Sequence, residues 1–272
     1  MAEKIWFIVG ASRGLGRVWT EAALARGDKV AACVRNRATL SDLSETYGAA
    51  LLTIELDVRS EDDVREAVRV AATAFGRLDV VVSNAGYAVF GTIEETDQEN
   101  ARAQFDTNFF GTLWVVQAAL PLLRKQGGGH ILITSSLAGI ITFPTAGVYN
   151  ATKWAVEGLG ETLASEVADF GIKVTLIEPG GYDTDWRGNS STHLKQMAEY
   201  GGLRDRLKAA SASRKLGNPA ATAEAILGVV DALSPPLRLF LGEAPLGIAR
   251  KQYAERLAAW EAWSDVSTRA QG

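Results

Sequence analysis

The chain has 272 residues, of which 47% are hydrophobic and 22% charged, with a formal net charge of −4, one cysteine and two histidines. That is the make-up of a globular protein with enough chain for a large core, and the acidic balance argues against nucleic acid or an anionic membrane surface as the main partner. A lone Cys33 excludes an intrachain disulfide framework, His130 and His193 do not make a structural zinc site, and no apolar run reaches the ~20 residues of a membrane span.

The start, MAEKIWFIVGAS, has too short an apolar core for a signal peptide. With the single cysteine this predicts a cytoplasmic protein. Ile5 to Val9 reads as a strand buried on both faces. A turn, Gly10-Ala11-Ser12-Arg13-Gly14-Leu15-Gly16, leads into a helix from Val18 to Ala25. Strands follow at Lys29 to Val34, Leu51 to Leu56 and Asp79 to Val82, with helices at Leu40 to Tyr47 and Val64 to Phe75 between them. Thr96 to Arg124 reads as two helical segments with Asn108 between them. His130 to Thr134 and Lys173 to Ile177 are strands around a helix from Tyr149 to Phe170. Residues 183 to 216 are polar, with no strand pattern and a weak helical one. A helix from Pro219 to Leu233, a strand from Leu237 to Leu241 and an amphipathic helix from Pro245 to Asp265, carrying Trp260 and Trp263, close the chain. Alternating apolar strands and helices predict an α/β fold, a doubly wound parallel sheet of seven strands in the order 3-2-1-4-5-6-7, within one Rossmann-like domain over 1–272.

In such a sheet ligands bind where the strand order reverses, beyond the carboxyl ends of the strands. Gly10–Gly16 and Asn84-Ala85-Gly86 both fall there. Glycines let the backbone approach a phosphate, and the helix that follows offers free N–H groups; the bare alternative is a tight turn without a ligand. The second strand ends at Arg35, where an NAD site usually has an acid, and Arg13 sits in the glycine loop. Either arginine suits the 2′-phosphate of NADP(H), unless both are only solvated surface charges. Asp57, with Val58 at the end of the third strand, can hold the adenine or cap the next helix.

The stretch YNATK places Tyr149 and Lys153 four residues apart, on one face of a helix. A phenol has a reference pKa of about 10, and a neighbouring ammonium favours its ionised form, so the pair can work as a proton-transfer device or be two residues of a solvated helix.

Taken in order, GASRGLG at 10–16, Asp57-Val58, Asn84-Ala85-Gly86, Asn108, Ser136, YNATK at 149–153, Pro179-Gly180 and Thr184 resemble the short-chain dehydrogenases/reductases over about residues 4 to 242. Ser136 stands 13 residues before Tyr149, as the catalytic serine of that family does. Val9 and Ser83 depart from the threonine and asparagine usual there. The resemblance implies NAD(P)-dependent interconversion of an alcohol and a carbonyl. Tyr149 would give the proton as hydride arrives, Ser136 would hold the substrate oxygen, Lys153 would lower the tyrosine pKa and bind the nicotinamide ribose, and Asn108 would hold a relay water. Pro179 and Gly180 would border the nicotinamide, with Thr184 on its carboxamide or phosphates, and no metal is expected. The cofactor set is thus Gly10, Ser12, Arg13, Gly14, Leu15, Gly16, Arg35, Asp57, Val58, Asn84, Ala85, Gly86, Tyr149, Lys153, Pro179, Gly180 and Thr184.

Residues 183–216 fall where the family has its substrate lid. Tyr182, Trp186, Tyr87, Phe90, Leu137, Phe143 and Val148 are the expected walls, which suit an apolar or aromatic carbonyl. Oxidation of a steroid-, retinol- or aryl-type alcohol is the alternative, and a non-catalytic NADP-binding sensor a third. The helices 97–124 and 149–170 are the family's usual dimerisation surface, which implies a homodimer or homotetramer. The helix of Trp260 and Trp263 would cover the pocket or build an interface.

Overall fold

The computed structural model describes residues 2–188, 190–211 and 215–272, with the side chain of Arg187 left out. Asn189 and residues 212–214 of the expected lid lie outside the described residues. In chain order the elements are β1 (Ile5–Val9), α1 (Gly14–Ala25), β2 (Lys29–Val34), α2 (Ser41–Tyr47), β3 (Leu51–Glu55), α3 (Glu61–Phe75) and β4 (Val80–Ser83). A short β5 (Val89–Phe90) precedes α4 (Gln98–Phe105), α5 (Gly111–Gln126), β6 (Gly129–Thr134), α6 (Gly147–Glu166) and β7 (Ile172–Pro179). The last third holds β8 (Thr192–His193), α7 (Gly201–Ser211), α8 (Thr222–Asp231), β9 (Arg238–Leu241), α9 (Ala244–Ala262) and α10 (Ser264–Arg269).

Seven strands form a sheet in the order β3-β2-β1-β4-β6-β7-β9, all pairs parallel. This is the expected doubly wound order once the small β5–β8 ribbon is set aside. β1 shows why the helices must lie on both faces. Ile5, Phe7 and Val9 join the core beneath α3, α5 and α6, whereas Trp6 and Ile8 join the one beneath α1, α2 and α8. Successive side chains leave opposite faces of a strand, so a strand with no polar position has to be covered twice. Cys33 is part of this packing, and burial pushes its thiol pKa up. Among the described residues no helix is long and apolar enough to cross a membrane.

Three features were not encoded locally. The polar 183–216 stretch forms β8 and α7; β8 exists because Val89 pairs with Thr192 and Phe90 with His193. Between α4 and α5 the chain makes a π-helical turn, Asp106–Phe110, that carries Asn108. The C-terminal helix is not one amphipathic rod. It breaks at Trp263, buries only Pro245 and Ala249 in α9, and leaves Leu246, Tyr253, Leu257, Trp260 and Trp263 exposed. Ile248 and Ala249 pack on Leu137, Ile140 and Ile141, so α9 braces the back of the segment after Ser136 and does not line the cleft.

Candidate active site

Val9 faces Ser83 where β1 pairs with β4, so Gly10 and Asn84 leave the sheet side by side at the reversal of strand order. Gly10 has φ +79°, and a Cβ on it would lie 2.8 Å from the Ala85 nitrogen. A Cβ on Gly16 would lie 2.2 Å from the Gly10 oxygen, so neither position accepts a side chain. Asn84 holds the frame: its Nδ2 donates to Gly10 O at 3.1 Å and its Oδ1 accepts from Thr134 Oγ1 at 3.1 Å. No side chain caps α1 at Arg13, which leaves first-turn N–H groups for an anion. The unusual Ser83 has a partner of its own, Thr112 Oγ1 at 3.1 Å, which in turn donates to Asn108 O at 3.0 Å.

A cleft of about 1110 Å³ opens above these strand ends. It exceeds the roughly 300–1,000 Å³ of a common small-molecule site and has room for two ligands. Ser12, Arg13, Gly14, Leu15, Arg35, Asp57, Val58, Ala85, Gly86, Pro179, Gly180 and Thr184 all line it. Gly16 does not line it; its contribution is the close approach just described. Thr184 faces the loop, with its Cγ2 3.8 Å from a Cβ position on Gly14. Asp57 binds Arg59, accepting from its backbone N at 3.0 Å and its Nη2 at 2.6 Å. The alternative role of Asp57 as a helix cap is wrong, because Ser60 caps α3. Arg59 therefore joins Arg13 and Arg35 on the cleft wall, a basic residue that sequence reading missed because nothing in its type showed that it turns back towards Asp57 past the single intervening Val58. Arg13 also pairs with Asp185 at 3.6 Å.

Tyr149 and Lys153 lie in the first two turns of α6, and both are buried. Lys153 Nζ donates to Thr134 O at 2.7 Å and stands 5.9 Å from the centre of the Tyr149 ring. Burial pulls Lys153 down to about 8, against the opposing effect of Glu157. Ser136 stands two residues past β6 in extended backbone; its Oγ accepts from the Ala138 amide at 3.0 Å, which leaves its own proton to donate. The neighbouring Ser135 also lines the cleft, but its hydroxyl is buried against Gly139, 2.7 Å from a Cβ position there. Asn108 is buried behind the cleft. Its Nδ2 donates to Tyr87 O at 2.9 Å and Thr152 Oγ1 at 3.1 Å, and its Oδ1 accepts from Tyr87 N at 3.0 Å. A Cβ on Gly86 would meet Asn108 Oδ1 at 3.2 Å and Lys153 Nζ at 3.7 Å, so the two side chains converge behind Gly86.

The other half of the cleft is apolar around Tyr149. Trp186 lies edge-on to the Tyr149 ring at 5.0 Å, and Phe90 packs on Trp186 at 5.5 Å and on His193 at 5.1 Å. Tyr87, Leu137, Phe143 and Tyr182 line it as expected, and Val148 does not. Sequence reading missed Thr145, a cleft residue at φ +64°, where a β-branched side chain is strained. It also missed Glu95 and Arg204, an ion pair from distant segments; a Glu and an Arg 109 residues apart carry no local signal.

A family model for short chain dehydrogenases matches residues 4–195. Oxidoreductase BOA17 of Botryotinia fuckeliana is 40% identical over 97% of this chain and 98% of its own. A short-chain dehydrogenase from Streptomyces avermitilis superposes with a TM-score of 0.90 at 34% identity, covering 98% of both chains. An alcohol dehydrogenase from Thermococcus sibiricus, complexed with 5-hydroxy-NADP, does so with a TM-score of 0.74 at 27% identity, over 88% of this chain and 96% of the other. With the glycine cradle, the Tyr149–Lys153 pair and Ser136 in one cleft, these matches mean that the chain belongs to the short-chain dehydrogenase/reductase family of oxidoreductases.

Proposed function

We propose that the protein interconverts a carbonyl and a secondary alcohol with NADP(H), acting on an apolar or aromatic ketone or aldehyde. The observation that carries this reading is the burial of Tyr149 beside Lys153 in a cleft that has arginines at one end and aromatic walls at the other. The residues fit a dinucleotide: the loop admits no Cβ at Gly10 or Gly16, and Arg13, Arg35 and Arg59 collect where a 2′-phosphate would have to be neutralised. Solved structural relatives hold NADP or NAD, so the choice of NADP(H) rests on the arginines.

A nicotinamide bound in the cleft would supply or accept the hydride. Everything else falls to the chain. Ser136 Oγ, with its acceptor side used by Ala138 N, donates to the substrate oxygen and orients it. Tyr149 Oη gives its proton to that oxygen in reduction and takes it back in oxidation. Lys153 places a positive charge beside the phenol. Trp186, Phe90 and Phe143 exclude water from the reacting carbon and favour apolar substituents. Asn108 keeps Tyr87 and the strand-end turn in place behind Lys153. Homo-oligomeric assembly and a cytoplasmic setting belong to the same proposal; the exposed Phe110, stacked on Trp114 at 5.9 Å on the expected dimerisation face, supports the assembly.

A panel of ketones, aldehydes and secondary alcohols followed by NADPH or NADP absorbance tests the reaction, and absence of turnover with every apolar carbonyl would sink it. Arg35→Asp tests the cofactor. One charge-assisted contact is worth about 1.5–3 kcal/mol, so the KM for NADPH should rise roughly tenfold or more while NADH improves. Unchanged constants for both cofactors would remove Arg35 from the phosphate contact.

A further inference from the structure

We propose that Glu95 is a positioning residue for the substrate wall: its carboxylate clamps the Met197–Arg204 segment against the loop after β5 and so sets the outer half of the cleft before any substrate arrives. Glu95 has a side chain that is 0% exposed, although it sits in a loop with no regular structure. Both oxygens are used. Oε2 accepts from Thr92 N at 2.8 Å within its own loop. Oε1 accepts from Met197 N at 2.6 Å and pairs with the Arg204 guanidinium. Arg204 Nη1 then donates to Met197 O at 3.0 Å, so both backbone polar groups of Met197 are held by one ion pair.

The clamp reaches across a long stretch of chain. The β5–β8 ribbon ties one end of the segment, with Leu194 N donating to Phe90 O at 2.9 Å, and Leu194 packs on Gly91, 2.8 Å from its Cβ position. Glu95 ties the other end, helped by Tyr200 Oη donating to Glu94 Oε2 at 2.6 Å. Leu194, Gln196 and Leu207, which lie between or just beyond these ties, line the cleft together with Tyr149 and Trp186. A polar segment with little core of its own is ordered only if something outside it offsets its conformational entropy, and this ion pair is the contact placed to do so. The amides of Met197 and Thr92, with Arg204 adding to them, hold the Glu95 carboxyl down at about 2, so the clamp stays charged at any pH where the enzyme works. It also ties up the Arg204 cation at the substrate side, in keeping with an apolar substrate.

The proposal rests on the reading of this cleft as a carbonyl site, and two readouts separate their failures. The first is tryptic cleavage of the free enzyme after Lys195 and Lys208, which needs no substrate. Glu95→Ala should speed it about tenfold or more, since local opening controls such cleavage, and Glu95→Gln, which keeps one acceptor oxygen, should fall between. The second is steady-state kinetics with a carbonyl that the wild type reduces. Glu95→Ala should raise its KM roughly tenfold with kcat within about threefold, the mark of lost uniform binding, and leave NADPH affinity unchanged. Arg204→Met should raise KM in the same way, Arg204→Lys should recover part of it, and Glu95→Ala with Arg204→Met should be no worse than Glu95→Ala alone. Unchanged cleavage and unchanged KM in both Glu95→Gln and Arg204→Met would overturn the clamp. Faster cleavage in an enzyme that reduces no carbonyl would keep the clamp and discard the reaction.

Discussion

Tyr149→Phe is expected to lower kcat for carbonyl reduction by about 10²–10⁴-fold, the range for loss of a positioned proton donor, while NADPH fluorescence titration shows binding close to that of the wild type. The physical reason is local. The ring is held on one side by Trp186 at 5.0 Å and faces Lys153 Nζ at 5.9 Å, and phenylalanine keeps that packing while removing the one oxygen that can give the substrate its proton. Ser136 can donate a hydrogen bond, but an aliphatic hydroxyl is a far weaker acid than a phenol, and Lys153, anchored on Thr134 O, lies one turn along α6 from Tyr149. Retention of more than a tenth of kcat would assign the proton to another group. Loss of NADPH binding along with activity would mean that the hydroxyl is part of the cofactor site first.

The second large effect concerns a buried proton. Glu178, just before Pro179 at the end of β7, has a side chain that is 0% exposed and lies 3.5 Å from Arg238 Nε without a hydrogen bond to it. Arg238 is instead held by Glu157 Oε2 at 2.9 Å and Glu161 Oε2 at 2.8 Å. Neither oxygen of Glu178 has a hydrogen-bond partner, nor has Glu157 Oε1. One proton resolves this: a neutral Glu178 can donate to its carboxylate neighbour. Burial first, then the charge of Glu157, push Glu178 up from the usual 4.5 to about 8. Between those values the folded chain holds a proton that the unfolded chain has lost, so this group lowers stability as pH rises, by about a kcal/mol per pH unit.

Glu178→Gln keeps the shape, replaces the proton by an amide that can donate, and does not titrate. Relative to the wild type it should gain stability steadily from pH 5 to pH 8, reaching a few kcal/mol, as read by urea unfolding. The difference between the two proteins is the measurement, because buried His130, pulled down to about 4, gives an opposite slope below its usual 6.5 in both. Lys153 does the same above about 8, again in both proteins. A difference that stays flat across this window would show that Glu178 is ionised in the folded protein.

Much of this site was legible because it is built from short-range patterns. The glycine loop, the strand-end Asn84-Ala85-Gly86 and the four-residue spacing of Tyr149 and Lys153 each need only local chain geometry to have meaning. The cover of helices on both faces followed from runs such as Ile5–Val9, which have no polar position to leave exposed. Asn108 was placed by sequence between two helices, but the π-helical turn that directs it onto Tyr87 depends on packing against α6. The C-terminal helix misled because its apolar residues do not mark one buried face: Ile248 and Ala249 pack on Ile140 and Ile141 and Arg256 Nη1 donates to Ile140 O at 3.1 Å, while Leu246, Leu257 and Trp260 stay exposed.

The sequence by itself determined the doubly wound sheet, the glycine turn at its strand-order reversal and the placing of Tyr149 and Lys153 on one helix face, since strand periodicity and helical spacing are properties of the backbone alone. Only the tertiary structure decided what surrounds them. It set Trp186 against Tyr149, joined Glu95 to Arg204 and buried Glu178 beside Glu157. Each of these is a meeting of charges or rings whose energy exists only once the fold has removed water and brought distant segments together.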